Sequence, residues 1–105
     1  MKILAISIRQ PGASFDDIQR LQVPEVTMVW QMQQDGFLRE IYFDPARPAA
    51  VLIVEADSVA AARDRLADLP MAEAGFIDFD LIQLGHFGQL QALFAKGESA
   101  DVVHD

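Results

Sequence analysis

The residues with chemistry to offer fall in four short stretches of the chain: SIR at 7–9, REIYF at 39–43, DFD at 78–80 and GHF at 85–87. Glu40 and Tyr42 are two apart, so on a strand they point to the same side. A carboxylate enclosed in apolar surroundings rises in pKa and becomes a general base near neutral pH. A tyrosine hydroxyl beside it can donate to the oxyanion that forms when a proton leaves a carbon next to a carbonyl. His86, an imidazole, suits an acid or second proton carrier. Arg39 or Arg9 can clamp a substrate carboxylate through two parallel N–H donors, with Ser7 and Asp80 as further polar contacts to substrate.

Each of these residues also has a plainer use. Glu40 can pair with Arg9 or Arg39, of its own chain or of a second copy. Arg39 can lay its stem on Phe37 or Ile41 and pair with a helix carboxylate. Asp78 and Asp80 can share a proton or hold a metal, or can simply protect an edge strand from unwanted pairing. His86 can be an exposed loop residue, and His104 reads as one. Met28, Trp30 and Met32, at helical spacing, read as core. No glycine-rich phosphate loop, nucleophile elbow or close histidine pair occurs. With two distant histidines and no cysteine, neither a metal nor another cofactor is expected.

The elements that must carry these residues are legible from pattern. Residues 3–8 read as a first strand. Ser14 with Asp17 reads as a helix-start box before Ile18 and Leu21. Val23-Pro24 interrupts, and a second helical pattern restarts at Pro24, with Val26, Val29, Trp30 and Gln33 on one stripe and Gly36 closing it. Strand two is expected over 37–43, the turn DPARP follows, and strand three spans 50–56. Asp57 or Ser58 caps a helix whose stripe is Val59, Ala62, Leu66 and Leu69, ended by Pro70. Strand four runs 76–84, and Phe87, Leu90, Leu93 and Phe94 mark a short C-terminal helix. Strict alternation groups Leu38 with Glu40 and Tyr42, and places Ser7/Arg9, Asp78/Asp80 and Glu40/Tyr42 on one face of the sheet.

A chain of 105 residues, 51% hydrophobic, is one domain with a core of its own. The domain is expected over 1–96, with a flexible acidic tail over 97–105. The absence of cysteine fits a reducing compartment, and MKILAISIRQPG has neither the length of a membrane span nor a signal-peptide cleavage pattern. A cytoplasmic location is expected. The net charge of −8 and the scattered arginines argue against nucleic acid and anionic membranes as partners.

The order βαββαβ is the ferredoxin-like pattern, an α+β fold in which two helices cover one face of a four-stranded antiparallel sheet. ILAISI and AVLIV are apolar at consecutive positions, the mark of strands covered on both sides. A bare second face would exceed the apolar patch of about 300–600 Å² that monomers tolerate. A homodimer stacked sheet to sheet is therefore expected, enclosing a pocket for a small molecule.

The stretches GFLREIYF, VLIVEADSVAAARDRLADLPM and IDFDLIQLGHF resemble the muconolactone isomerase-like family of the dimeric α/β-barrel superfamily. The resemblance covers about residues 24–87. It rests on Gly36, the strand Arg39 with its polar neighbour Glu40, Leu69-Pro70 and His86, at a position where the family also keeps a histidine. It departs at Glu40, where the isomerase has a histidine, at Tyr42 in place of a tryptophan, and over 10–22. The resemblance implies a dimeric barrel, further homo-oligomeric assembly through the C-terminal helix, and a cofactor-free isomerase or lyase that moves a proton next to a carbonyl or lactone of a small organic acid. In that scheme Glu40 is base, His86 acid, Tyr42 oxyanion donor, and Arg39 or Arg9 the clamp. The alternative is a non-catalytic dimeric module that binds a small molecule or serves in stress. A third expectation, cofactor-independent oxygenation as in the antibiotic-biosynthesis monooxygenase branch, would need an aromatic pocket open to a quinone-like substrate.

Overall fold

A computed structural model describes residues 1–94; the acidic tail and His104 lie outside the described residues. Strand β1, Lys2–Arg9, leads into helix α1, Phe15–Arg20, and helix α2, Gln22–Gln34. Strands β2, Leu38–Asp44, and β3, Ala49–Glu55, form a hairpin. Helix α3, Val59–Leu66, and the single turn α4, Pro70–Glu73, return the chain to strand β4, Ile77–Leu84. A 3-10 helix, Gly88–Phe94, stands where a short C-terminal helix was expected.

Local chemistry sets the boundaries. Ser14 and Asp17 close a capping box, the Ser14 hydroxyl accepting the Asp17 N–H at 3.0 Å and the Asp17 carboxylate accepting the Ser14 N–H at 3.4 Å. The break between α1 and α2 falls at Leu21 rather than at Val23-Pro24, which places Pro24 third in α2. The first-turn N–H groups of a helix have no partner within it, so a proline there removes no bond. Gly36, at φ +86°, ends α2 in the left-handed region. Of the two cap candidates for α3, Ser58 is the one used, its hydroxyl accepting the Ala61 N–H at 3.0 Å. Pro70 does not end α3, which stops at Leu66; it opens α4 at the first helical position.

The sheet order is β2-β3-β1-β4 and all neighbours are antiparallel. Helices α2 and α3 lie on one face. There Ile3, Ala5, Leu38, Leu52, Val54 and Phe79 pack against Met32, Ala62, Leu66 and Leu69, all buried. The α3 stripe falls as the 3.6-residue period requires at Val59, Ala62 and Leu66; Leu69, expected on it, lies beyond the helix and is buried as the extended residue that caps α4. The α2 stripe does not follow its period: Met32 is buried and Met28 and Val29 are partly buried, whereas Trp30 is 61% exposed and Val26 also faces out. α2 is apolar on more than one side, and periodicity cannot choose between two apolar faces. The side that docks is marked instead by Glu25, buried at 9% exposure, whose Oε1 accepts the Met71 N–H at 2.9 Å and so ties α2 to α4.

Among the described residues no helix lies on the other face. Register places Leu4, Ile6 and Ile8 of β1 there beside Val51 and Ile53 of β3, with Ile82 and Leu84 on β4. Ile8, Ile82 and Leu84 are exposed. Among the described residues no helix is long and apolar enough to cross a membrane.

Candidate functional site

Strand β2 carries the best-formed polar pair. Leu38 stands opposite Val54 but Glu40 stands opposite Ile53, so Arg39 is an extra residue in the strand. Such a bulge breaks the two-residue alternation. It corrects the expected grouping: Leu38 enters the core, while Glu40 and Tyr42 lie on the helix-free face. The Tyr42 hydroxyl donates to Glu40 Oε1 at 2.7 Å. Because Glu40 accepts that hydrogen and adds a negative charge beside it, the phenol pKa lies above its ordinary value. Glu40 is exposed in the single chain and Tyr42 is 60% exposed. Neither of the charges side by side at 39 and 40 enters the core. Arg39 is exposed, and its charge helps, after the N-terminal ammonium, to hold the Glu55 carboxyl below its ordinary pKa.

The remaining residues are distributed over the sheet. Register pairs Ile6 with Asp80 and Ile8 with Asp78, so both aspartates share the open face with Glu40 and Tyr42. Ser7 and Arg9 pair with Phe79 and Ile77, which assigns them to the helix side and corrects the expectation of a single polar face. The Ser7 hydroxyl accepts the Ala50 N–H at 2.8 Å where β1 and β3 part, and Arg9 donates to the Ala13 carbonyl at 2.9 Å. Where the strands diverge, Ser7, Arg9 and Asp80 meet again around a groove of about 330 Å³, together with Ile6, Ile8, Arg47 and Ala49.

Arg47 carries no mark in the sequence beyond its place in the turn. The i, i+3 spacing from Asp44 was the available signal: Arg47 Nε donates to Asp44 Oδ2 at 2.8 Å, and Oδ1 of the same carboxylate accepts the Ala46 N–H at 3.0 Å. These contacts hold the Asp44 carboxyl below its usual range and stand Arg47 at the groove.

Asp78 serves the edge. β4 is the last strand of the sheet, and Asp78 Oδ1 accepts the Phe79 N–H at 2.8 Å while lying 3.7 Å from Arg63 Nη1. Arg63 in turn donates to the Phe79 carbonyl at 3.4 Å. Side chains thus occupy edge groups that another strand would pair with. His86 is exposed beyond β4, at the end where Leu84 pairs with Lys2. Three strand spacings, about 14 Å, separate β4 from β2. One chain therefore brings Glu40 and Tyr42 together, and Ser7, Arg9 and Asp80 together, but does not bring His86 to either group.

No protein-family model and no curated protein sequence matches the chain. Among solved structures it is similar to the crystal structure of a muconolactone isomerase, with a TM-score of 0.66 at 19% identity over 82% of this chain and 90% of that one. It is also similar to 5-chloro-2-hydroxyhydroquinone dehydrochlorinase from Burkholderia phenoliruptrix, solved in complex with 2,5-dihydroxybenzoquinone, with a TM-score of 0.65 at 14% identity over 85% of this chain and 98% of that one. At these identities the likeness is one of fold, and it is the fold that the resemblance in the sequence implied.

Proposed function

We propose that the chain is a cofactor-free proton-transfer catalyst of the isomerase or lyase kind, acting on a carbonyl- or lactone-containing small acid, and that it works as a homodimer. The observation that carries this is the 2.7 Å hydrogen bond between Tyr42 and Glu40 on an apolar face that no helix covers. Glu40 takes the proton from the carbon next to the carbonyl, and the electron pair moves onto the carbonyl oxygen as an enolate. Protonated Glu40 no longer needs the phenol hydrogen, which turns to the enolate oxygen. Return of the proton at the far carbon shifts the double bond. With a leaving group at that carbon, its departure gives elimination instead. A raised phenol pKa suits this role, because the donor stays protonated at neutral pH.

A second copy supplies what one chain lacks. Stacked across the open face about a two-fold axis running along the strands, it sets its β4 over β2 of the first copy. Its His86 then comes to the end of the sheet where Glu40 lies, and the apolar rows of both sheets exclude water from the pair. Arg39, in the bulge beside Glu40, serves as the cation for a substrate carboxylate.

The experiment is proton NMR in D₂O with a panel of unsaturated lactones and 2-oxo acids, following exchange of hydrogens next to the carbonyl. Wild type exchanges or isomerises a member of the panel, Glu40→Gln loses about 10²–10⁴-fold in rate, and Tyr42→Phe and His86→Ala lose less. Turnover that survives Glu40→Gln and His86→Ala unchanged would remove the assignment. The exposure of Glu40 and Tyr42 in the single chain favours the other reading, a non-catalytic binding module, and binding to the wild type with no exchange in any substrate would select it.

A further inference from the structure

We infer that the groove at the divergence of β1 and β3 is a binding site for a small carboxylic acid that also carries a hydrogen-bond donor near its carboxylate. The site stands apart from the Glu40–Tyr42 pair: Tyr42 lies two strands from Ile6, about 10 Å away across the sheet.

The chain is acidic, with eight basic side chains against sixteen acidic ones. Free cations are accordingly scarce. Arg20, Arg63 and Arg65 pair with Asp17, Asp78 and Asp35. Arg9 is different. Among the described residues no carboxylate lies within ion-pair distance of it; its Nη2 bonds only the Ala13 carbonyl, which leaves most of its N–H donors free. It lines the groove together with Arg47, whose Nε is held by Asp44 so that the two terminal nitrogens remain unspent. Ser7 also lines it, and since its oxygen accepts from Ala50, its own O–H proton is still available to donate. Two guanidinium groups and a hydroxyl around one concavity form a set of donors for a carboxylate.

The same groove contains Asp80, which also has no cation within ion-pair distance among the described residues. An anion alone would be repelled by it. A ligand with an O–H or N–H donor beside its carboxylate meets both charges at once: carboxylate on Arg9, Arg47 and Ser7, donor on Asp80. Ile6, Ile8 and Ala49 supply the apolar floor, and about 330 Å³ leaves ample room for such a molecule.

The test is a titration of the isotopically labelled full chain with glycolate, glycine and acetate, read from backbone amide shifts, so that turnover plays no part and failure here leaves the proton-transfer proposal standing. Glycolate or glycine is expected to shift residues 6–9, 49 and 80 saturably and to bind about tenfold tighter than acetate. Which of the two binds better tells whether the donor is a hydroxyl or an ammonium. Arg9→Gln should weaken both by about tenfold or more. Asp80→Ala should erase the advantage over acetate while leaving acetate binding at least as tight. Absence of saturable shifts at tens of millimolar, unchanged affinity in Arg9→Gln, or a preference that persists in Asp80→Ala would each overturn the site.

Discussion

Leu38 and Glu40 belong to one strand, two residues apart, yet face opposite sides of the sheet: Leu38 is buried opposite Val54, and Glu40 is exposed opposite Ile53. One partner step on β3 spans two on β2, and Arg39 is the surplus. Removing Arg39 should therefore leave a strand that alternates correctly, with Leu38 in, Glu40 out, Ile41 in and Tyr42 out. The deletion variant is expected to fold with a loss below about 2 kcal/mol in chemical denaturation. Were β2 regular instead, the deletion would turn every residue from Glu40 onward to the wrong face, and the variant would not fold.

Tyr42 is the chain's one tyrosine, so its titration can be read directly by ultraviolet absorbance. Its pKa is raised first by the hydrogen bond to Glu40 and then by that residue's charge. Glu40→Gln removes the charge and weakens the acceptor, and the phenol should then titrate at lower pH than in wild type. An unchanged titration would mean that the two side chains do not meet in solution.

Glu25 gives a pH dependence opposite in sign to that of the surface carboxylates. Burial raises its pKa from 4.5, and the Met71 N–H only partly offsets this. The unfolded chain therefore releases this proton at lower pH than the folded one, and folding is penalised as pH rises from about 4.5 through the folded value. Asp17, Asp35, Asp44 and Glu55 have lowered pKa values, chiefly through bonds to Ser14, the Phe37 N–H, Arg47 and the N-terminal ammonium. Their contribution is present above their unfolded values, near 4, and is lost on acidification. Glu25→Gln keeps an oxygen for Met71 and carries no charge. Its stability relative to wild type should rise between pH 4 and pH 7 in denaturation curves. Glu25→Ala leaves the Met71 N–H without its partner and should cost about 1–3 kcal/mol. A difference between Glu25→Gln and wild type that does not vary with pH would place the carboxylate in water.

The order of elements and the α3 stripe were legible because each rests on local rules: a hydroxyl cap at Ser58, a period of 3.6 through Val59, Ala62 and Leu66, and a left-handed glycine at 36. The facing of β2 was not. A bulge leaves no compulsory residue type, and REIYF reads equally well in either phase. Trp30 reads as core from its helical spacing, but α2 is apolar on more than one side, and only tertiary contact decides which side is buried. The separation of Ser7 and Arg9 from Glu40 follows from pairing register across β3, which a single strand's pattern does not contain. Arg47 went unnoticed for a similar reason: a turn arginine gains its place from where two other strands part.

The open face of the sheet leads to the last prediction. Leu4, Ile6, Val51 and Ile53 form its centre, and Ile8, Ile82 and Leu84 extend it with exposed side chains. A surface of this kind stays out of water only if something of the same character lies on it. A second copy is self-complementary here, since a two-fold axis along the strands sets apolar centre on apolar centre. Light scattering of wild type at micromolar concentration should give twice the chain mass. Ile82→Glu places an unpaired charge within that contact and should shift the mass to one chain, with circular dichroism still reporting the folded sheet and helices. The activity, if dimer-borne, should disappear in the same variant although residue 82 lies on the strand opposite to Glu40. A wild-type chain that runs as a stable monomer would leave Glu40 and Tyr42 in bulk water, with no enclosed site in which to work.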